Sequence, residues 1–219
     1  MDAHLNEPGA TERTRLRRLA EKAVADRAVL HAVLDAGRIA HVAIVQDGQP
    51  YALPTAYARV GDTVVLHGST GSRLFRALAE GTPACVTVTV LDGLILARSA
   101  FEASMRYRCA MVLGSAAELD GEEKLGALRA ISEHLVPGRW AELRPPSKKE
   151  LAATLAVSLP LAESSVKISE GFPTDAAEDL DLPVWAGVLP IAEIPGEPVP
   201  DPLLRPGIPV PPYLPRGAP

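Results

Sequence analysis

The chain has 219 residues, 47% of them hydrophobic, and a formal net charge of −5 from 22 basic and 27 acidic side chains. That fits one compact domain, or one domain with a tail, and gives enough apolar material for a sizeable core. It argues against a nucleic-acid binder, which carries a basic surplus, and no apolar run approaches the 18 residues of a membrane span.

Residues 1–11 read as a frayed start. From Glu12 to Ala36, Leu16, Leu19, Ala23, Leu30, Val33 and Leu34 recur at three- and four-residue steps, which predicts a helix stopped by Gly37. Its other face carries Arg13, Arg17, Arg18 and Lys22, either a solvated face or an anion-attracting rim. A strand follows over 39–45, with Asp47-Gly48 as a hairpin turn. Tyr51 to Val60 reads as a second strand broken by Pro54, and Thr63 to His67 as a third after Gly61-Asp62. Short turns between strands make an antiparallel meander rather than a βαβ unit. Arg73–Glu80 reads as a short helix, Ala84 to Leu91 as a strand, and Met105 to Leu119 as a long strand bent near Gly114. Helices are expected over 121–136 and 148–156, the second capped by Ser147, and strands over 157–169 and 184–191. Six or seven mostly antiparallel strands with inserted helices give an α+β, barrel-type architecture. From Pro190 onward 11 of 30 residues are proline, so this segment is extended and semi-rigid, either a loose tail or an arm that wraps a partner subunit. The organisation is therefore a start over 1–11, a domain over 12–192 and a proline-rich arm over 193–219.

Several chemistries lack their signatures. There is no GxGxxG after a strand, no GxxxxGK[ST] and no HExxH. The five histidines are scattered, and Cys85 and Cys109 form no CxxC, so no metal ligand set is expected and the thiols read as core residues in a reducing cytoplasm. No secretory signal pattern opens the chain. One segment carries positive chemistry: His67-Gly68-Ser69-Thr70-Gly71-Ser72-Arg73-Leu74 is a strand end, a turn of small residues and a helix start. Backbone N–H groups can converge on an anion there, the hydroxyls add donors, and Arg73 can fork onto a phosphate. The bland alternative is an ordinary capped helix start.

These residues, with Ser104-Met105-Arg106-Tyr107-Arg108-Cys109 and Trp185-Ala186-Gly187-Val188-Leu189-Pro190 in that order, resemble the pyridoxamine 5'-phosphate oxidase-like superfamily over roughly residues 12–192. The branch they are most similar to is the flavin-nucleotide-binding one that includes nitroimidazole-resistance reductases. The resemblance implies a split β-barrel binding FMN at a homodimer interface. It places the FMN phosphate at Ser72 and Arg73 beside Gly68 and Ser69, and the flavin ring along the backbone of Pro54, Thr55, Ala56 and Tyr57. It puts His67 beside the flavin as the catalytic candidate, Tyr107, Arg108 and Cys109 on a lining strand, and Trp185 on a late strand near the site. His67, Arg108, Cys109 and Trp185 also admit plain packing or surface roles. Leu74 stands where the oxidase proper has a lysine, and no histidine follows His134 to supply the oxidase's Arg-x-His motif. The expectation is an FMN-dependent oxidoreductase of a small molecule, served by a transient nicotinamide donor, with no nucleic-acid or membrane partner. The rivals are a deazaflavin-dependent reductase, a non-catalytic flavin carrier or sensor, and an interaction module whose ligand is the proline arm.

Overall fold

The computed structural model describes residues 6–214, which form ten strands and four α-helices. β1 (Ala40–Gln46) and β2 (Gln49–Thr55) make a hairpin whose turn residues Asp47 and Gly48 have φ of 52° and 75°, the left-handed pair that a tight hairpin turn needs. β3 (Tyr57–Val60) and β4 (Thr63–Ser69) follow, then α2 (Arg73–Ala79), β5 (Pro83–Leu96), β6 (Ser104–Ser115) and β7 (Ala117–Leu119). α3 (Gly121–Leu135), α4 (Lys148–Ala152), β8 (Thr154–Pro160), β9 (Glu163–Ser169) and β10 (Gly187–Pro190) complete the chain, with α1 (Arg27–Ala36) preceding β1. One antiparallel sheet has the order β2-β1-β5-β6-β9, with β10 pairing the end of β5; the other has the order β3-β4-β8-β7.

The sequence suggests six or seven strands, and the difference has one cause. Three expected long strands each leave one sheet for the other: 51–60 at Ala56, 105–119 at Ala116, and 157–169 at Leu161-Ala162. The exchange closes the two sheets around a shared core of Val42, Tyr57, Leu66, Val86, Val112, Leu159 and Val166, with α1 adding Leu30, Val33 and Leu34 and α2 adding Leu74, Phe75 and Leu78. α3 covers the outer side of the second sheet, packing Ala127 and Ile131 on Ala58, Val65 and Ala156. Among the described residues no helix covers the outer side of the first sheet in this way, and Val45 is exposed on it.

The expected helix over 12–36 is realised only as α1. Asp26 caps α1 by accepting from the Ala28 N–H at 2.7 Å, while upstream the Val24 N–H donates to the Val166 carbonyl and Ala23 bridges to Lys167. Leu19 sits at φ 57°, incompatible with a continuing helix. Tertiary pairing to β9 therefore overrides helical periodicity, and the arginine face does not form: Arg17 pairs with Glu12, Arg13 with Glu163, and Lys22 with the Ser169 hydroxyl. Residues 6–11 do not fray either; the Gly9 N–H donates to the Ser164 carbonyl at 2.7 Å and the Thr11 hydroxyl to Glu163. Residues 1–5 and 215–219, the ends of the expected start and arm, lie outside the described residues. α4 stops at Ala152, short of the expected Ala156, because β8 needs Thr154 onward for pairing with β4; its Ser147 cap forms a full capping box with Glu150. No helix among the described residues is long and apolar enough to cross a membrane.

Candidate functional site

The sheet exchange at Ala56 creates the corner on which the expected site stands. β2 is an edge strand of its sheet and β3 of the other, so the backbone of Pro54, Thr55 and Ala56 turns an unpaired edge outward. Proline is tolerated there because an edge needs no ladder donor on that side. Tyr57 pairs with Leu66 in the β3–β4 ladder, which brings Ala56 alongside His67. β4 ends at Ser69, and the chain turns through Thr70 and Gly71 into α2.

Gly68 makes that turn possible. A Cβ there would stand 2.1 Å from the Phe75 ring, so only glycine lets α2 fold down on β4. Ser72 caps α2 by accepting from the Phe75 N–H at 3.5 Å. Most of the turn's N–H groups are spent internally: Thr70 donates to the Ala153 carbonyl, Gly71 to the Ser69 Oγ at 3.1 Å, and Ser72 to the Ser69 carbonyl at 2.9 Å. The backbone cradle suggested by the run of small residues is thus closed. What remains toward solvent are the exposed Ser69 and Thr70 and the Arg73 guanidinium. Arg73 has no carboxylate partner among the described residues; its guanidinium lies 4.8 Å over the Tyr51 ring of β2. Tyr51 is a site residue that sequence reasoning missed; its place opposite Ile44 in the hairpin register is what delivers it.

Two expected contacts change character. The Tyr57 side chain is fully buried and turned inward, its hydroxyl within hydrogen-bond distance of the Leu34 carbonyl (2.5 Å) and the Gly37 carbonyl (3.0 Å). His134 also reaches the Gly37 carbonyl, at 2.7 Å, with its ring 5.1 Å from that of Tyr57. Burial, reinforced by the Asp35 charge, pushes the Tyr57 phenol far above its ordinary range. Only the backbone of Tyr57 can meet a ligand; its side chain fastens the corner to the end of α1. His67 is half-buried, has no hydrogen-bond partner among the described residues, and is driven by desolvation toward its neutral form.

The structure separates the second group of expected residues from the first. Thr55 pairs with Ala40, Ala40 with Val88 and Val88 with Ala110, so the β6 residues Tyr107, Arg108 and Cys109 lie three strands from the corner, on the order of 14 Å across the sheet. Arg108 is held by Asp92 through paired contacts of 2.9 and 2.8 Å, so its guanidinium is already engaged. Cys109 accepts a contact from the Thr89 hydroxyl at 3.5 Å, and Tyr107 faces the Lys167 ammonium at 6.0 Å. Trp185 precedes β10 and is 68% exposed, with its ring over Gly187, where a Cβ would stand 2.8 Å from it. Within a single chain about 14 Å of sheet separates the two groups.

A family model described as pyridoxamine 5'-phosphate oxidase matches residues 26–168. The chain is 47% identical to a structure described as the FAD and heme binding protein from Mycobacterium smegmatis, covering 88% of this chain and 95% of that one with a TM-score of 0.84. It is 41% identical to the flavocytochrome Anf3 from Azotobacter vinelandii, covering 95% of this chain and 96% of that one with a TM-score of 0.87. A candidate 5-nitroimidazole antibiotic resistance protein from Bacteroides thetaiotaomicron shares the fold at 22% identity and a TM-score of 0.56, over 67% of this chain and 86% of that one. No curated protein matches.

Proposed function

The chain belongs to the pyridoxamine 5'-phosphate oxidase family, and from that premise we propose that it is a flavin-binding oxidoreductase whose site is shared between two copies. The observation that carries the reading is Arg73: a cation without a carboxylate partner among the described residues, steadied on Tyr51, beside the Ser69 and Thr70 hydroxyls and the open backbone edge of Pro54 to Ala56. These residues fit a flavin 5'-phosphate, with Arg73 offering a charge-assisted fork and the edge strand offering N–H and C=O groups to the polar rim of the ring. FMN and FAD share that phosphate, so the anchor serves either. FMN is the expectation from the sequence, and FAD is in the printed name of the relative at 47% identity.

The flavin would supply hydride or single-electron transfer. The chain's own residues bind and orient. Arg73 fixes the phosphate, the Tyr57–Gly37–His134 knot holds the ring-binding edge in place, and His67, kept neutral by burial, donates an N–H to a substrate at the corner. A nicotinamide donor would dock transiently.

The second copy enters the proposal because Tyr107 and Cys109 lie three strands from the corner in one chain, with Trp185 beside the far end of β5, and a facing copy would bring their counterparts to it.

A second reading adds haem. The two more identical relatives carry heme or flavocytochrome in their names. Of the four described histidines, His31 is bonded to Asp62 and His134 to Gly37, while His41 and His67 have no partner among the described residues. An unprotonated imidazole is what an axial ligand requires. The test is titration of the protein with FMN, FAD and hemin. Saturable flavin binding at micromolar concentration supports the proposal, and failure of both flavins to bind overturns it; a Soret band lost in His41→Ala or His67→Ala assigns the haem ligand.

A further inference from the structure

We propose that the cavity at the start of β6, beside Arg106, Arg108 and Phe172, is a nucleoside phosphate site, with the phosphate on the two guanidiniums and the base on the Phe172 ring. It lies three strands from the corner that carries Arg73 and stands on its own observations.

Arg106 and Arg108 alternate along β6 with Tyr107, on the face that carries the buried Ala110 and Val112 further along. Like charges two residues apart on one face repel. Among the described residues a carboxylate neutralises only Arg108: Asp92 accepts from its Nε at 2.9 Å and its Nη2 at 2.8 Å. Arg106 instead donates from Nε to the Gly171 carbonyl at 2.9 Å, and its guanidinium lies 5.5 Å over the Phe172 ring. Both groups are fixed in place, yet Arg106 Nη1 and Nη2 and Arg108 Nη1 have no hydrogen-bond partner among the described residues. Three free nitrogens match the three terminal oxygens of a phosphate rather than the two of a carboxylate. The two arginines line a cavity of about 340 Å³ together with Asp92, Ser169 and Glu170, a size within the small-ligand range of roughly 300–1,000 Å³. Ser169 is buried and accepts from the Lys22 ammonium at 3.0 Å, which brings a third cation to the wall. Glu170 is exposed, makes no ion pair among the described residues, and is free to turn aside for an anion.

The aromatic half stands on the rim. Of the three phenylalanines, Phe75 is buried, whereas Phe101 is 91% exposed and Phe172 72%. Their segments are tied to each other. Arg98 pairs with the buried Asp175 carboxylate at 2.9 Å, and the Thr174 hydroxyl donates to Glu102 at 2.9 Å. An exposed ring that is already held binds a second ring at little ordering cost, and a ring beside a cation is what a nucleobase stacks on. Phe172 follows the cavity residue Glu170 by two positions, so one nucleotide can reach both. Two sources offer this chemistry: the adenosine phosphate of a nicotinamide donor and the adenosine half of FAD.

The test is isothermal titration of the full chain with AMP and with inorganic phosphate. An Arg73→Ala chain is the reference, because it lacks the phosphate anchor of the corner. The reference should bind AMP saturably below millimolar concentration. Arg106→Gln added to it should weaken AMP and phosphate about 10-fold or more, the loss of charge-assisted contacts. Phe172→Ala should weaken AMP about 10-fold and leave phosphate unchanged, the loss of one stacked base; the ring is exposed, so this variant should melt as the reference does. In wild type, AMP binding abolished by FAD loading but not by FMN loading assigns the site to the adenosine half of FAD, and AMP displaced by NADH under both loadings assigns it to the donor. A reference that binds no AMP, or AMP binding untouched by Arg106→Gln, overturns the site and leaves flavin binding by wild type standing. AMP that binds no tighter than phosphate, or that ignores Phe172→Ala, overturns the nucleoside assignment.

Discussion

Arg73 occupies the first residue of α2, where the helix dipole disfavours a cation, and the proposed flavin phosphate would offset that cost. Replacing it with alanine should weaken flavin binding about 10- to 100-fold, the value of a charge-assisted bidentate contact. The apo melting temperature should barely move, because alanine is at least as good a helix former. Equal flavin affinity in the two proteins would reduce the turn to a plain helix cap. His67 makes a prediction in pH. Burial holds its folded pKa below the ordinary histidine value, so below about pH 6.5 the unfolded chain takes up a proton that the folded ring resists. The contribution of His67 to stability is therefore complete above that pH and is lost as pH falls toward the folded pKa. His67→Asn should flatten this part of the stability–pH curve, and urea melts at pH 5 and pH 8 would show it; an unchanged slope would mean that the ring is not desolvated. His67→Ala should leave flavin bound and slow turnover roughly 100-fold or more if the ring meets the substrate. The run from His67 to Arg73 was legible as a candidate site because its residue types carry the chemistry. The closed backbone cradle was not legible, since it depends on Thr70 reaching the carbonyl of Ala153, the distant residue that ends α4.

At the scale of elements, the sheet exchanges place the site, and small residues permit them. Gly68→Ala would push a methyl into the Phe75 ring and should cost about 1–3 kcal/mol, as overpacking does. Gly37→Ala would meet Val88 at 2.2 Å and the Tyr57 hydroxyl at 2.9 Å, and should destabilise while also loosening the corner. A thermal melt equal to wild type for either variant would show that α2, or the end of α1, sits less tightly than these distances imply. Local pattern identified β1, β4, α2 and α3 to within two residues, whereas β5 runs on to Leu96, five residues past its expected end at Leu91. It failed wherever distant pairing decided the outcome. Residues 12–26 carry a helical period yet are held by β9, and the strand over 157–169 has no internal punctuation as strong as the Asp62 carbonyl that takes the Leu161 N–H at the sheet change.

For the whole molecule, the separation of the corner from Tyr107, Cys109 and Trp185 is what distinguishes a shared site from a self-contained one. Light scattering at micromolar concentration should report a dimer, and a monomer that retains flavin would remove the need for β6 in the site. The α+β class followed from strands with short turns, and the family from three motifs in order. Whether anything covers the first sheet's outer side was not legible, because a face of Ala43, Val45, Thr87 and Thr89 looks the same in sequence whether water or a second copy meets it. The most direct test of the central claim is the absorbance spectrum of the purified protein, together with the mass of whatever it releases on denaturation. The account predicts flavin bands and a released FMN or FAD, with a Soret band added if haem is present. A colourless protein that releases no chromophore and binds neither flavin on titration would contradict it.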